Sequence, residues 1–262
     1  MNARPKKSFG QHFLHEKRYI ERIVSSIAPR PADVVVEIGP GEGALTLPLL
    51  AAAGRLTAIE LDTDLIPGLQ ARADAVGELR IVHSDVLKVD FTALARELGV
   101  ERVRIAGNLP YYISSPILFH CVDHAAAIQD MHFMLQKEVV DRMAAEPGSK
   151  VYGRLSVMLQ LACRVEPLFT VPPGAFRPPP KVDSAVVRVV PLPPEQRHDA
   201  DPERVYAIVK AAFAQRRKTL SNGLKQLMDA AAIEAAGIDP KARAETLAPL
   251  DFVRLAKVPT AT

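Results

Sequence analysis

The 262-residue sequence contains no tryptophan and only two cysteines, Cys121 and Cys163. So few cysteines cannot form the disulfide framework on which small secreted domains depend, and their scarcity is typical of a reducing compartment. We predict that both are small buried side chains. An excess of one charge is also missing, because Lys and Arg (33) outnumber Asp and Glu (30) by only three. This small excess does not by itself indicate a nucleic-acid-binding protein.

Long hydrophobic runs are missing as well. The longest, residues 44–54, includes Thr46 and Pro48, and it is well short of the roughly 20 apolar residues that span a bilayer. The basic N-terminal residues are not followed by the apolar segment of a secretory signal. We therefore expect a soluble, cytoplasmic protein, and we expect it to be a monomer. The sequence is 48% hydrophobic, which is ample for a packed core.

Strand-like and helix-like patterns alternate over the first two-thirds of the sequence. Runs rich in β-branched residues predict strands, and apolar residues at three- and four-residue spacing predict the helices between them. The predicted strands are 34–38, 55–60, 79–83, 103–107 and 128–135. Such alternation predicts an α/β fold in which a parallel sheet is covered by helices on both faces.

The pattern changes near residue 190. Residues 191–203 are rich in proline and charge, which is typical of a linker. The residues after them contain many alanines and predict short helices at 204–215, 219–231, 242–247 and 252–258. We therefore divide the chain into a main domain, a linker and a small all-helical domain, with the bounds 1–190, 191–203 and 204–262.

A glycine-rich segment after the first predicted strand is the strongest functional signal. Gly39 and Gly41 let the backbone approach a ligand closely and expose amides at the start of the next helix. Glu60 ends the next strand, where a carboxylate can accept hydrogen bonds from both ribose hydroxyls. Asp85, followed by Val86, ends the third, where a carboxylate can reach an adenine amino group. Ligands of open parallel sheets bind where such strand ends converge, although a turn followed by helix-capping acids would show the same residues.

Two nucleotide-like ligands suit this pattern. The spacing of Gly39, Gly41 and Ala44 is also that of a loose dinucleotide-binding loop, which holds a pyrophosphate on main-chain amides. However, Glu42 lies in that loop, and an anion beside a phosphate is unfavourable. S-adenosylmethionine has no phosphate, and its amino group and sulfonium are cationic. Glu37 and Glu42 therefore favour the methyl donor.

The fourth predicted strand is followed by the segment Asn108, Leu109, Pro110, Tyr111 and Tyr112. An adenine amino nitrogen is a poor nucleophile, because its lone pair is delocalised into the ring. The Asn108 side-chain oxygen and the Leu109 main-chain carbonyl could accept its two N–H bonds and favour a pyramidal nitrogen. Tyr111 could stack on the base, and catalysis would then consist mostly of positioning. The alternative is an asparagine-containing turn with both tyrosines in the core.

Eight motifs, in order along the chain, resemble those of the ribosomal RNA adenine dimethyltransferase family, in particular of its members that modify the small subunit. They are FGQHFL (9–14), VEIGPGEG (36–43), ELD (60–62), NLPYYIS (108–114), MLQKEV (134–139), YGRLSV (152–157), FRPPPKVDSAVV (176–187) and FAQRRKTL (213–220). The resemblance implies a Rossmann-like class I methyltransferase domain, dependent on S-adenosylmethionine, and a small helical domain that contributes to rRNA binding. It also implies dimethylation of two adjacent adenines in the 3′-terminal hairpin of small-subunit (16S) rRNA, within an assembling 30S particle.

The resemblance also assigns the donor site. It places six residues there: His12, Leu14, Gly39, Glu60, Asp85 and Asn108. Histidine stands at position 12, and tyrosine at position 112, where asparagine is often found in the family. Histidine keeps a hydrogen-bond donor and an acceptor, so we retain His12 in the predicted site. No metal site is predicted.

Basic residues occur in three places that could contact RNA phosphates: Arg4, Lys6 and Lys7; Arg177 and Lys181; and Arg216, Arg217 and Lys218. Clustered cations bind nucleic acid by releasing counterions, although such clusters are also typical of a solvated helix face. Phe176 could form the second face of an aromatic sandwich around a flipped adenine, or it could pack in the core. The predicted substrate-binding residues are Phe176, Arg216, Arg217 and Lys218.

Two other functions are compatible with parts of this pattern. A catalytically idle rRNA-binding assembly factor would keep the fold and the basic clusters, but it would not need the segment that begins at Asn108. A nucleotide-dependent oxidoreductase would use the glycine-rich loop, but Glu42 disfavours it.

Overall fold

The computed structural model describes residues 12–215 and 217–259, so Arg4, Lys6, Lys7 and Arg216 lie outside the described residues. Its strands are β1 (Phe13–Leu14), β2 (Val35–Ile38), β3 (Arg55–Glu60), β4 (Glu78–His83), β5 (Val103–Asn108), β6 (Ile128–Gln136), β7 (Cys163–Val171), β8 (Phe176–Arg177) and β9 (Ser184–Pro191). Its helices are α1 (Lys17–Ile27), α2 (Thr46–Ala53), α3 (Ile66–Ala73), α4 (Phe91–Glu97), α5 (Ser114–Asp123), α6 (Lys137–Met143), α7 (Arg154–Gln160), α8 (Pro202–Ala212), α9 (Leu220–Gly223), α10 (Ala230–Ala235) and α11 (Pro249–Lys257).

The main sheet has seven strands in the order β4-β3-β2-β5-β6-β9-β7. Neighbouring strands from β4 to β6 are parallel, whereas β9 runs antiparallel to β6. Strand β2 pairs with β3 on one side and with β5 on the other, so the strand order reverses at β2. In an open parallel sheet such a reversal opens a crevice at the carboxyl ends of the strands. The predicted Rossmann-like α/β fold is confirmed, and the crevice lies where the site residues were predicted.

Burial accounts for the central strands. All four residues of β2 are buried, and in β5 only Asn108 is partly exposed. Continuous burial is typical of parallel strands that are covered on both faces. Gly107 lets β5 approach β2 closely, because a Cβ atom there would lie 2.6 Å from the carbonyl oxygen of Ile38. A larger residue would force the two central strands apart just below the crevice.

Four strands and one helix break differ from the sequence prediction. The predicted strands do not include β1, β7, β8 or β9, although β9 pairs with β6 over six consecutive residue pairs. The single helix predicted over 219–231 is replaced by α9 and α10. The second of these begins anew because the side chain of Asp229 accepts a hydrogen bond from the main-chain N–H of Ala232 at 2.8 Å.

The chain divides into two compact units. The first comprises 1–140 and 166–191, and the second comprises 141–165 and 192–262. The predicted main domain, 1–190, therefore contains a segment that the structure places in the second unit. The predicted linker from 192 onwards also belongs to that unit.

The second unit has its own apolar core, which explains the shifted boundary. Tyr152 and Val157, from the inserted segment, share this core with Val205 and Phe252 from the C-terminal helices. The buried Tyr152 hydroxyl donates a hydrogen bond to the carbonyl oxygen of Leu247 at 2.8 Å. Contacts of this kind join residues far apart in sequence, so the local strand and helix pattern of residues 141–165 carries no sign of them.

Two further expectations concern the cysteines and membrane-spanning segments. Cys121 and Cys163 are both buried, as predicted, and they form no disulfide with each other. Within residues 12–215 and 217–259, no helix has the length and apolar character required to span a membrane.

Candidate active site

A cavity of about 490 Å³ opens at the carboxyl ends of the central strands. Its lining residues lie within 12–14, 37–48, 59–62, 84–86 and 108–117, and Arg72 in α3 joins them. The structure brings together every residue predicted for the donor and transfer sites: His12, Leu14, Gly39, Gly41, Glu60, Asp85, Val86, Asn108, Leu109, Pro110 and Tyr111. All of these residues belong to the first compact unit.

The glycine-rich loop after β2 adopts a conformation that requires glycine. Gly39 and Gly41 have φ angles of +66° and +56°, in the left-handed region that residues with a Cβ atom rarely adopt. At Gly41 space is short as well, because an added Cβ atom would lie 3.1 Å from the ring of Phe13. Gly41 also donates its main-chain N–H to Oε2 of Glu60 at 3.2 Å. The loop and the acid that ends β3 are thus held together.

Glu60 is a buried carboxylate held by two main-chain donors. Its Oε1 accepts from the N–H of Asp62 at 2.8 Å, and its Oε2 accepts from Gly41. Burial is the largest effect and raises the pKa of Glu60, while these hydrogen bonds oppose the rise. An ionised carboxylate has about four lone-pair sites. Each oxygen therefore keeps capacity for a ligand hydroxyl, as the ribose prediction requires.

Asp85 both caps a helical turn and lines the cavity, so it combines the two roles that the sequence left open. Its Oδ1 accepts from the N–H of Leu87 at 3.0 Å and so caps the short 3₁₀ turn at Val86–Lys88. Asp85 also lines the cavity. The capping hydrogen bond fixes the carboxylate at the end of β4, and a carboxylate fixed in this way is well placed to receive an adenine amino group.

Glu37, on β2, is the most deeply buried acid of the cavity wall. Its side chain has almost no contact with solvent, and among the described residues none hydrogen-bonds its Oε2 atom. Burial raises the pKa of Glu37 from 4.5 to about 7. A buried carboxylate oxygen without a partner is unfavourable. A cationic ligand group beside Glu37 would stabilise the ionised form of this carboxyl.

Asn108 ends β5 with its side-chain amide held in one orientation. Its Nδ2 donates to the main-chain carbonyl oxygen of His12 at 3.1 Å. The NH₂ group is thereby engaged with the protein, and the carbonyl oxygen Oδ1 is left as an acceptor. The predicted transfer mechanism requires this orientation.

Tyr111 is fixed on two sides. Its ring stacks on the ring of His12, with centroids 5.6 Å apart and an interplanar angle of 30°. Its hydroxyl lies 2.7 Å from Oγ of the buried Ser184, at the start of β9. The His12 ring is held in turn by a hydrogen bond from Nδ1 to the carbonyl oxygen of Pro178 at 2.8 Å. His12, before β1, and Ser184, at the start of β9, therefore both contact Tyr111, and the segment after β8 holds His12.

Phe176 differs from the predicted substrate-binding role. Its ring is only 2% exposed, it packs in the apolar core with Leu14 and Val186, and it does not line the cavity. The reason is the pairing of β8 with β1, in which Phe176 is opposite Leu14. Of the two predictions for Phe176, packing in the core is therefore correct, and a role in an aromatic sandwich around the adenine is wrong.

The predicted cationic residues are exposed where they are described. Arg217 and Lys218 lie in the connection between α8 and α9, in the second unit, and Arg177 and Lys181 lie in the first. Their side chains are open to solvent, as contact with RNA phosphates would require.

Three residues at the site were missed by the sequence prediction. Phe13 covers Gly41, Arg72 donates to the carbonyl oxygen of Glu42 at 2.6 Å, and Ser184 holds the Tyr111 hydroxyl. Phe13 and Ser184 lie within the FGQHFL and FRPPPKVDSAVV motifs, so the motifs themselves carried a signal. Arg72 lies in α3, outside all eight motifs, so no sequence signal indicated its role.

A family model described as Ribosomal RNA adenine dimethylase matches residues 2–260. The chain belongs to the ribosomal RNA adenine dimethylase family. A curated relative from Xanthomonas campestris pv. campestris (strain B100), named Ribosomal RNA small subunit methyltransferase A, is 60% identical over 257 residues, which are 98% of this chain and 97% of the relative. A solved dimethyladenosine transferase from Plasmodium falciparum is similar with a TM-score of 0.79 and 25% identity, covering 93% of this chain and 96% of that one. The 23S rRNA methyltransferase ErmE follows with a TM-score of 0.73 and 27% identity, covering 94% and 98%.

As a ribosomal RNA adenine dimethylase, the enzyme uses S-adenosylmethionine as its methyl donor. The cavity fits this molecule. The unpartnered Oε2 of Glu37 suits a cationic ligand, whereas a pyrophosphate beside it would be repelled. Glu60 and Asp85 would hold the ribose and the adenine, and Glu37 would face the positive charge of the donor.

Proposed function

We propose that the enzyme methylates the N6 amino groups of two adjacent adenines in the 3′-terminal hairpin of small-subunit (16S) rRNA, during assembly of the 30S particle. The product would be N6,N6-dimethyladenosine at both positions. The observation that carries this proposal is the hydrogen bond from Asn108 Nδ2 to the His12 carbonyl oxygen, because it leaves Oδ1 of Asn108 to accept from an amino group in the crevice.

The residues that end β5 would prepare the amino group. Oδ1 of Asn108 and the main-chain carbonyl of Leu109 accept its two N–H bonds, which favours a pyramidal nitrogen with a localised lone pair. Tyr111, whose ring and hydroxyl are both held, stacks on the base and fixes its plane. When bound, S-adenosylmethionine supplies an electrophilic methyl carbon on a sulfonium. The contribution of the protein is then mostly to hold the two reactants in line.

No strong base is needed in this mechanism. The methylated nitrogen carries a positive charge and is very acidic, so its proton passes readily to water. After the first transfer one N–H bond remains, and one of the two carbonyl acceptors still holds it. The same residues can therefore orient the nitrogen for the second transfer.

The choice of the small subunit follows from similarity. The relative at 60% identity is named for the small subunit, whereas ErmE, at 27% identity, is named for 23S rRNA. The greater identity favours small-subunit rRNA as the substrate. We further propose that the enzyme acts as a monomer in the cytoplasm, where small subunits assemble.

The exposed cations of the second unit would bind rRNA phosphates. Arg217 and Lys218 are two neighbouring positive charges in an exposed connection. Replacing Arg217 with alanine is expected to weaken RNA binding and to lower the slope of log affinity against log salt by about 0.7, as expected for the loss of one phosphate contact. Arg217 is remote in sequence from the donor site, so donor affinity should not change.

The test is methyl transfer to small subunits that lack these methyl groups. Full-length enzyme and labelled S-adenosylmethionine are incubated in parallel with such subunits, with naked 16S rRNA and with unmodified large subunits, and the products are mapped by mass spectrometry. We expect two dimethylated adenines in the 16S hairpin and little product on the large subunit. The Asn108→Ala variant is the control and should form far less product.

Two results would overturn the proposal in different ways. Methylation of 23S rRNA in place of 16S rRNA would show that the substrate is wrong. Adenines left unmethylated on every substrate, by an enzyme that binds the donor, would show that the activity is wrong.

A further inference from the structure

Tyr112 is an exposed aromatic residue on the wall of the active-site cavity. It lines the cavity, yet 60% of its surface is open to solvent. The other aromatic residues that line this cavity within the described ranges are His12, Phe13 and Tyr111, and all three are partly buried. Every nucleobase has a π-face on which an aromatic side chain can stack, so an exposed ring beside this site is a candidate for contact with the RNA.

The main chain on both sides of Tyr112 is held by hydrogen bonds. The N–H of Ile113 donates to the carbonyl oxygen of Pro110 at 3.2 Å, and Oγ of Ser114 donates to the carbonyl oxygen of Tyr111 at 3.2 Å. Helix α5 begins at Ser114, two residues after Tyr112. The Cα atom of Tyr112 therefore keeps a fixed position, about 3.8 Å from that of Tyr111.

The neighbouring aromatic residues cannot take a second base. The Tyr111 ring already stacks on His12, so only its remaining face is available to the reacting adenine. Phe176 is buried in the core. Tyr112, in contrast, has neither a hydrogen bond nor a ring contact with the residues that the structure describes, and its ring is free to receive a planar group.

We infer that Tyr112 stacks on the nucleotide next to the reacting adenine and makes the site selective for a purine at that position. This inference rests on the proposed function. When one base is turned out of its stack, its neighbour loses a stacking partner, and an aromatic side chain replaces that partner. A purine offers a larger ring surface than a pyrimidine and benefits more. Because the strand enters the crevice with one polarity, a ring in this fixed position contacts the neighbour on one side only, and one of the two adjacent adenines has the other as that neighbour when it reacts.

The test combines variants of Tyr112 with variants of the RNA. Tyr112→Leu keeps apolar bulk but removes the ring, whereas Tyr112→Phe keeps the ring and removes only the hydroxyl. Each full-length protein is measured on small subunits that carry the natural adenine pair and on subunits in which the neighbouring position is uridine or abasic. RNA affinity, KM, kcat, donor affinity and melting temperature are recorded for each protein.

We expect a loss of affinity only where Tyr112→Leu is combined with an RNA that carries the neighbouring base. On the natural pair, Tyr112→Leu should weaken RNA affinity roughly 5- to 100-fold, the range of one lost base–aromatic stack, with kcat, donor affinity and melting temperature little changed. Tyr112→Phe should restore the affinity. On the abasic substrate the wild type and Tyr112→Leu should bind equally, because there is no base for the ring to contact.

Three outcomes would contradict the inference. Unchanged affinity of Tyr112→Leu on the natural pair would show that the ring does not contact the RNA. An equal loss on the natural and abasic substrates would show that the ring contacts something other than the neighbouring base. If the wild type methylates no rRNA adenine, the proposed function itself is wrong and the inference is wrong with it, whereas normal wild-type activity with an unaffected Tyr112→Leu rejects the inference alone.

Discussion

The side chain of Asn108 and the main chain of His12, 96 residues apart, are joined by a hydrogen bond of 3.1 Å from Nδ2 to the carbonyl oxygen. This contact links the end of a central strand to the residue just before β1. It decides which end of the amide faces the substrate, because the NH₂ group is already engaged. A residue outside the central sheet therefore orients the acceptor on which the reaction depends.

Removal of the Asn108 amide should abolish most of the activity. Asn108→Ala is expected to lower kcat about 10²- to 10³-fold, as observed when one preorganised polar group is lost from an active site. Asn108→Asp keeps an acceptor oxygen, but the His12 carbonyl would repel its carboxylate, so we expect a loss of similar size. Single-turnover methyl transfer measures both effects. Near-normal activity of Asn108→Asp would show that the contact with His12 is not needed.

Tyr111 and Ser184 should contribute to activity as one unit, because a hydrogen bond joins their side chains. Ser184→Ala and Tyr111→Phe each remove one side of the 2.7 Å contact, so each should weaken transfer by about 1 kcal/mol, the ordinary worth of one hydrogen bond. Because both changes break the same bond, the double variant should be little worse than either single one. The measurement is kcat/KM for the four proteins of this cycle. Additive losses would mean that the two residues act separately.

Gly41 should be intolerant of alanine for a local reason. Its φ of +56° and the 3.1 Å approach to Phe13 both penalise a Cβ atom. Gly41→Ala should therefore weaken donor binding, measured by calorimetry. Gly54→Ala is the matched control, because Gly54 also has a positive φ, of +80°, but nothing lies within 4 Å of the added atom and Gly54 does not line the cavity. We expect Gly54→Ala to lower the melting temperature and to leave donor affinity intact.

Glu37 should make both stability and donor binding depend on pH. Burial raises its pKa to about 7 in the folded protein, above the ordinary value of 4.5. Its contribution to stability is thus fully present below pH 4.5 and is lost as the pH rises through about 7. Glu37→Gln removes this dependence, so in the absence of donor the variant should melt at a higher temperature than the wild type at pH 8.

Donor binding should show the opposite trend with pH. The cationic donor favours ionised Glu37, so wild-type affinity should rise as the pH increases through about 7, whereas Glu37→Gln should bind more weakly and show a flatter profile. Calorimetric titrations from pH 6 to about 8.5 would measure both profiles. Identical pH profiles for the two proteins would mean that Glu37 does not face the positive charge of the donor.

The central strands and the donor site were predictable because their signals are local. β3 runs over Arg55–Glu60, as predicted, and the three residues Gly39, Glu60 and Asp85 each lie at a strand end or within two residues of it. The carboxyl ends of parallel strands meet at one edge of a sheet. Correct prediction of the strands was therefore enough to bring these residues together.

Other features depend on partners far away in sequence, so local patterns could not predict them. Phe176 is buried because β8 pairs with β1, and Tyr152 joins the second unit because its hydroxyl reaches Leu247. The orientation of Asn108 likewise depends on His12. Sequence patterns were enough to predict most of the order of strands and helices, the chemistry at each strand end and the family resemblance, because each of these depends on neighbouring residues. Which side chains are buried, and which are held ready for the substrate, depends on contacts between segments that meet only when the chain folds.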